Sequence, residues 1–357
     1  MRINETYHIV RGTGSTAELE RYRQCFVSNG SHKTLELLQW NHQQNLPAIQ
    51  SIYYAIDAET REIAAIYTYL PVKFTCMGRV VNALQSFDTL TDKNHRGKGL
   101  FIRLASQIES EEKQKDNELV YGFPNENSVH GFVNKLKFNY FGEVPFLIKP
   151  LRIGYFVNKL LKQHKNIAPD TNCEIIADKT QKIKDDAIIK EITRFHSEYD
   201  ALYELVIPKI KIGVNRDAAY MNWRYVNKPG ENYYKYGYYE RDVLKGVIIF
   251  TLKHKHGGRV GYLMELLFEP GNEKVAKSLL DFCVKAFKKN KADVILAWCF
   301  DHSFNHAAIR NRGFYKFPEK LRPQKLGFIA KTLNSRQTAD IYTLKNWYLS
   351  YSDSDTV

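Results

Sequence analysis

Apolar residues recur in two spacings along the chain, and the spacings alternate in a fixed order. SIYYAI (51–56) and EIAAIYTYL (62–70) are near-continuous runs rich in β-branched and aromatic residues, which predicts a pair of buried strands. Leu100, Phe101, Leu104, Ala105 and Ile108 then follow a helical period. LVYGF (119–123) reads as a strand, and SVHGFVNKL (128–136) reads as a short helix entered through Asn125 and Asn127. The order then returns. YYKYGYY (233–239) and GVIIFTL (246–252) predict strands, and Val275, Leu279, Leu280, Cys283, Val284 and Phe287 form a helical stripe. DVILAWCF (293–300) predicts a strand, with a last helix near 303–312.

Anchors at both ends of the two stretches make this an internal repeat. LQWNHQQNLP (38–47) precedes the first pair of strands and MNWRYVNKPG (221–230) the second; NKLKF (134–138) closes one copy and RNRGF (310–314) the other. Trp40 and Phe138 are 98 residues apart, and Trp223 and Phe314 are 91 apart. The fold class expected is α/β: two tandem units, each a mixed, mostly antiparallel twisted sheet flanked by helices. The expected segments are 1–145, a connector at 146–200, 201–334 and a tail at 335–357. Within the connector, LRIGYFVNKLLKQHK (151–165) has a basic amphipathic pattern, suited to packing on a neighbouring domain or to peripheral contact with an anionic membrane. The tail either frays or docks through Trp347.

Composition narrows the class. With 44% hydrophobic residues in 357, the chain is not a disordered one, and no run of 18 apolar residues suggests a spanning helix. MRINETYHIVRGTG lacks the apolar core of a secretory leader. Five scattered cysteines without a C-x-x-C fit neither a disulfide framework nor a structural zinc site, so a cytoplasmic, reducing location and no metal are expected. The net charge of +13 is uneven: residues 1–145 carry 16 basic and 16 acidic side chains, residues 146–357 carry 36 and 23. The second half therefore suits an anionic partner, or is simply a solvated basic surface.

One segment carries chemistry. SFDTLTDKNHRGKGLFIRLASQI (86–108) reads as a strand end, a polar turn, and Arg96-Gly97-Lys98-Gly99 opening a helix at Leu100. Two glycines let successive backbone N–H groups turn into a concave nest at a helix N-terminus, where the unpaired donors and the dipole favour phosphate. The spacing matches neither a P-loop nor a dinucleotide-binding fingerprint.

The run Asp88 to Phe101 resembles the acyl-CoA-binding signature of the GCN5-related N-acetyltransferase (GNAT) family, [QR]-x-x-G-x-[GA], through Arg96 and Gly99. FPNENSVHGFVNKLKF (123–138) is similar to the second part of that signature. Phe101 departs from the small residue of the pattern, Lys137 from its glycine, and Val133 stands where the family often has an acid tyrosine. The tandem arrangement resembles bacterial acetyltransferases of surface-polysaccharide and nucleotide-sugar pathways.

The resemblance implies acetyl-CoA, or another acyl-CoA, as cofactor. Arg96, Gly97, Lys98, Gly99 and Leu100 would hold the pyrophosphate. Backbone around Leu90 and Thr91 would face the thioester, and Asn125 and Asn127 the pantetheine. Candidate bases are Asp88 and His130. Glu265, on the corresponding strand of the second copy, is a candidate substrate contact. In that copy the glycine turn has become Glu269-Pro-Gly-Asn-Glu-Lys274, whose carboxylates oppose phosphate, so a substrate-binding or structural role is expected there. The expected partner is a small-molecule amine, an anionic nucleotide-linked amino sugar or glycan precursor; nucleic acid is not expected. The alternatives are a Fem-type transferase using aminoacyl-tRNA, and an acyl-CoA-binding module without turnover.

Overall fold

The computed structural model describes residues 6–45, 51–152, 154–155, 170–184, 186–322, 325–334 and 338–354. The chain divides into two compact units, Met1–Glu143 with Leu326–Leu344, and Val144–Lys325 with Lys345–Val357. All five cysteines are free thiols, and among the described residues no helix is long and apolar enough to cross a membrane.

The first unit opens with β1 (Tyr7–Arg11), α1 (Thr16–Ser28) and α2 (Leu35–His42). The sheet continues with β2 (Ser51–Asp57), β3 (Ile63–Cys76) and β4 (Arg79–Thr91). Next come α3 (Leu100–Glu112), β5 (Asn117–Gly122), α4 (Glu126–His130), a single π-helical turn at Gly131–Lys135, and β6 (Asn139–Glu143). With β17 (Gly327–Thr332), the strands lie in the order β1-β2-β3-β4-β5-β17-β6. All neighbours are antiparallel except β4 and β5, which are parallel because α3 carries the chain across between them.

Alternation along β2 explains why its sequence is apolar from Ile52 to Ile56. Tyr53 and Ala55 pack with Leu100, Leu104, Ala105 and Ile108 of α3 on one face. Ile52 and Tyr54 pack with Leu19, Tyr22 and Phe26 of α1 and Leu38 of α2 on the other. A strand covered on both faces has no polar side to show.

The second unit repeats the plan. It contains β7 (Phe146–Pro150), β8 (Thr171–Cys173), β9 (Thr180–Lys182), β10 (Ala187–Glu191), α5 (Ser197–Val206), β11 (Ile212–Val214) and α6 (Ala218–Tyr225). Then follow β12 (Tyr234–Glu240), β13 (Val243–Lys255), β14 (Gly258–Phe268), α7 (Glu273–Lys289), β15 (Val294–Trp298), α8 (His306–Arg310) and β16 (Tyr315–Lys316). The sheet order is β16-β7-β15-β14-β13-β12-β10-β9, again with one parallel pair, β14 and β15, flanking the crossover helix. Strands β10, β12, β13, β14 and β15 thus repeat β1 to β5.

The structure differs from the expected segments in two places. β7 and β10, in the stretch read as a connector, are strands of the second unit's sheet, and β17, at the end of the second copy, lies in the first unit's sheet. Each sheet is completed by a strand that follows the other copy in sequence. Most of the amphipathic stretch 151–165 lies outside the described residues. In the tail, Trp347, Tyr348 and Tyr351 are buried in the second unit.

Candidate active site

β4 and β5 begin as paired strands and then part. Their parallel register runs from Asn82 opposite Asn117 to Ser86 opposite Gly122 and stops there. β4 continues to Thr91, keeping only β3 as a neighbour, with Phe87 opposite Thr68, Leu90 opposite Ile66 and Thr91 opposite Ala65. Among the described residues, the other edge of Phe87–Thr91 has no strand beside it, so its backbone groups face an open wedge. Leu90 and Thr91, expected near a thioester, lie on this edge.

The wedge leads into the glycine turn. Asp92 accepts from the Asn94 N–H (2.8 Å) and starts a 3₁₀ turn at Lys93–His95. Asn29 holds that turn from α1, donating to Asp92 (2.8 Å) and accepting from the Lys93 N–H (2.9 Å). Gly97 and Gly99 follow at φ 77° and 70°, the left-handed region that glycine adopts without cost. Gly99 is the N-cap of α3 and brings no side chain to cap it, so the helix's first N–H groups stay open. A Cβ built on either glycine would meet nothing within 4 Å. Exposed Arg96 and Lys98 bring positive charge to this mouth, and Lys98 is steadied by donating to Tyr7 Oη (2.7 Å). A concave run of donors with two cations fits the pyrophosphate of a CoA ester.

On the far side of the wedge, Asn125 is the N-cap of α4, its side-chain oxygen accepting from the N–H groups of Asn127 (3.0 Å) and Ser128 (3.2 Å). That oxygen is committed to the helix; Asn127 and His130 are exposed. Phe101, at the signature's small-residue position, lies over Gly131, where an added Cβ would come within 2.8 Å of its ring. The ring also meets Tyr67 and Phe132 at centroid distances of 5.6 and 5.2 Å. The bulky residue is therefore accommodated by a glycine in the π turn, and it packs α3 against that turn.

Asp88 sits in an irregular stretch of β4 at φ 44°, unusual for a residue other than glycine. Its carboxylate does not project into open solvent: it pairs with Lys33 Nζ at 2.7 Å and accepts from Tyr22 Oη at 2.8 Å. Burial, and then the neighbouring Asp88 charge, push the Tyr22 phenol well above its ordinary range, so it acts as a donor. Sequence patterns gave no hint of this group, because Tyr22 and Lys33 lie on α1 and the following loop.

The second unit diverges at the equivalent places. β14 and β15 pair from Val260 opposite Val294 to Leu263 opposite Ala297, after which β14 continues to Phe268. Here the chain's own C-terminal segment meets the parted strands. Tyr348 Oη donates to Glu265 (2.6 Å) and accepts from Asn305 Nδ2 (3.1 Å). Tyr351 stacks on Trp298 at 4.6 Å. Glu265, expected to contact substrate, is fully buried. Its oxygens are taken by Arg216 Nε (2.7 Å), Ser350 Oγ (2.8 Å) and Tyr348, so it belongs to the interior and offers no surface to a ligand. Before α7, Glu269 pairs with Lys245 (3.0 Å), which holds its carboxyl below the usual range. His302 Nε2 lies 2.9 Å from the Trp347 carbonyl. Among the described residues no group of three His, Cys, Asp or Glu is placed to hold a metal.

Comparison with known proteins agrees with this geometry. Residues 15–136 match the family described as an acetyltransferase (GNAT) domain, a span that runs from the start of α1 through the π turn. No curated protein sequence matches the chain. Among solved structures, N-myristoyltransferase from Saccharomyces cerevisiae with bound myristoyl-CoA is similar at TM-score 0.59 and 13% identity, over 92% of this chain and 83% of that one. A GCN5-related N-acetyltransferase from Anabaena variabilis is similar at TM-score 0.59 and 15% identity, over 92% and 73%. A probable N-acyltransferase from Enterococcus faecalis gives TM-score 0.57 and 10% identity, over 92% and 72%. The fold is that of these N-acyltransferases.

Proposed function

We propose that the chain is an acyl-CoA-dependent N-acyltransferase that loads its donor in the first unit only. The observation carrying this reading is the continuity of the open β4 edge with the glycine turn at the N-terminus of α3. A bound acyl-CoA supplies an activated thioester. Gly97 to Leu100 would hold its pyrophosphate with backbone donors, Arg96 and Lys98 would add charge, and the N–H groups along Phe87–Thr91 would stabilise the oxyanion that develops when an amine attacks. Positioning of donor and acceptor accounts for much of the rate in such a direct transfer. Exposed His130 is retained as a candidate base.

The acceptor we favour is an anionic, nucleotide-linked amino sugar or glycan precursor, and the acyl group we favour is acetyl. The basic excess of residues 146–357 supports an anionic acceptor. The reading is tested by thiol release from acetyl-CoA and myristoyl-CoA against a panel of nucleotide-linked amino sugars, free amino sugars and glycine-terminated peptides. Myristoyl-CoA and the peptides are included because the yeast neighbour is an N-myristoyltransferase. Turnover limited to the peptides would replace the amino-sugar reading, and no turnover with any acceptor would favour a binding module.

A further inference from the structure

We infer that Tyr22, Lys33, Thr68 and Asp88 form a clamp that fixes the backbone of the open β4 edge, with Asp88 a positioning residue rather than the base. The functional part of this inference rests on the acyl-transfer reading above. Asp88 is anchored through both of its acceptor groups. Its carboxylate is held by Lys33 and Tyr22, and its main-chain carbonyl accepts from Thr68 Oγ1 at 3.1 Å.

The geometry of a trans peptide gives that last bond its consequence. The carbonyl of one residue and the N–H of the next point in opposite directions. With the Asp88 carbonyl bonded to the Thr68 hydroxyl, the Thr89 N–H points the opposite way, so this bond fixes the plane of the Asp88–Thr89 peptide within the stretch where pairing with β5 has ended. The positive φ of Asp88 is the strained backbone that this orientation needs, and the carboxylate contacts hold it.

The anchor itself is rigid. Lys33 lies between two rings, with Nζ 5.0 Å from the Phe26 centroid and 5.4 Å from that of Phe87. Tyr22 stacks on Phe26 at 5.1 Å and meets His42 at 5.7 Å. A carboxylate only 6% exposed, with one oxygen on a cation and the other on a phenol, offers little surface to an incoming amine, but it holds a strand well.

The test has two arms. Amide hydrogen exchange read by mass spectrometry on the peptide covering 84–92 tests the clamp without any substrate. Tyr22→Phe and Thr68→Val should each raise exchange there about tenfold, the effect of losing one hydrogen bond, while α3 and β5 peptides stay unchanged. Unchanged exchange in both variants would overturn the clamp, whatever the protein's activity. The second arm uses acetyl-CoA with hydroxylamine as the probe amine. Tyr22→Phe should lower kcat about tenfold with KM for acetyl-CoA kept. Asp88→Asn, which keeps an acceptor and tolerates positive φ, should lose less than Asp88→Ala and keep the parent's pH profile. Loss of an ionisation limb in Asp88→Asn would make Asp88 the base and overturn the assignment. Absence of turnover in the parent protein would count against the acyl-transfer reading alone, leaving the exchange result to decide the clamp.

Discussion

Ser86 and Gly122 are the last residues across which β4 and β5 pair, and a Cβ on Gly122 would stand 3.1 Å from the Ser86 Cβ. The point where the strands part is thus a tight contact made possible by a glycine. One strand end leads from it into the glycine turn of α3, and the other into α4. The open edge and the glycine turn lie at the same end of one sheet.

The glycine turn yields the first prediction. Gly99→Glu places a carboxylate at the mouth and a side chain at φ 70°. Arg96→Ala removes one cation without touching the core. The glutamate should abolish CoA binding, and Arg96→Ala should weaken it about tenfold, the scale of a charge-assisted contact. Titration calorimetry on both variants, with circular dichroism as the fold control, checks this.

Acid should destabilise the first unit through His42. Burial, followed by the Lys33 cation, pushes its imidazole down to about 3 from an ordinary 6.5. The folded protein keeps it neutral while the unfolded chain takes up a proton below pH 6.5. Stability is therefore full above 6.5 and falls as pH drops toward 3, by about 1.4 kcal/mol per pH unit for this one group. His42→Gln should flatten that slope in denaturant titrations at pH 7, 6 and 5; an unchanged slope would place the acid sensitivity elsewhere.

Leu104 is fully buried between α3 and the sheet. Leu104→Ala should cost about 2–5 kcal/mol through lost transfer energy and a residual cavity. Equilibrium denaturation followed by tryptophan fluorescence should show the first unit unfolding earlier.

In the second unit, Arg216 joins Glu265 to Asp353, both at 2.7 Å, with all three side chains fully buried. Arg216→Ala leaves two carboxylates without their cation and should cost about 3–5 kcal/mol. Acetyl-CoA affinity measured below the unfolding transition should be unchanged, because the proposed donor site draws no residue from this unit. A matching loss of affinity would contradict a donor site confined to the first unit.

Local patterns were legible in the sequence; long-range pairings were not. Apolar runs and helical stripes located β2, β3, α3, β5, β12, β13, α7 and β15, because each must bury a face whatever its neighbours. Arg96-Gly97-Lys98-Gly99 located the glycine turn, since its conformation is set within four residues. The exchange of β7 and β17 left no trace, because a strand's partner is chosen by the whole fold. Phe146–Pro150 is as apolar as a connector packing on its neighbour would be. Asp88 looked like a candidate base because its partners, Tyr22 and Lys33, are 66 and 55 positions away. Glu265 misled for the same reason: Arg216, Tyr348 and Ser350 come together on it only in three dimensions. One signal was available in principle. A charged residue within an apolar strand, as in MELLF (264–268), calls for a buried partner of opposite charge, though not for a particular one.

The most direct test is calorimetric titration of the full chain with acetyl-CoA. The account predicts one site per chain, abolished by Gly99→Glu and unaffected by Glu269→Gln in the second unit's turn. Two sites, or one site that survives Gly99→Glu, would contradict it.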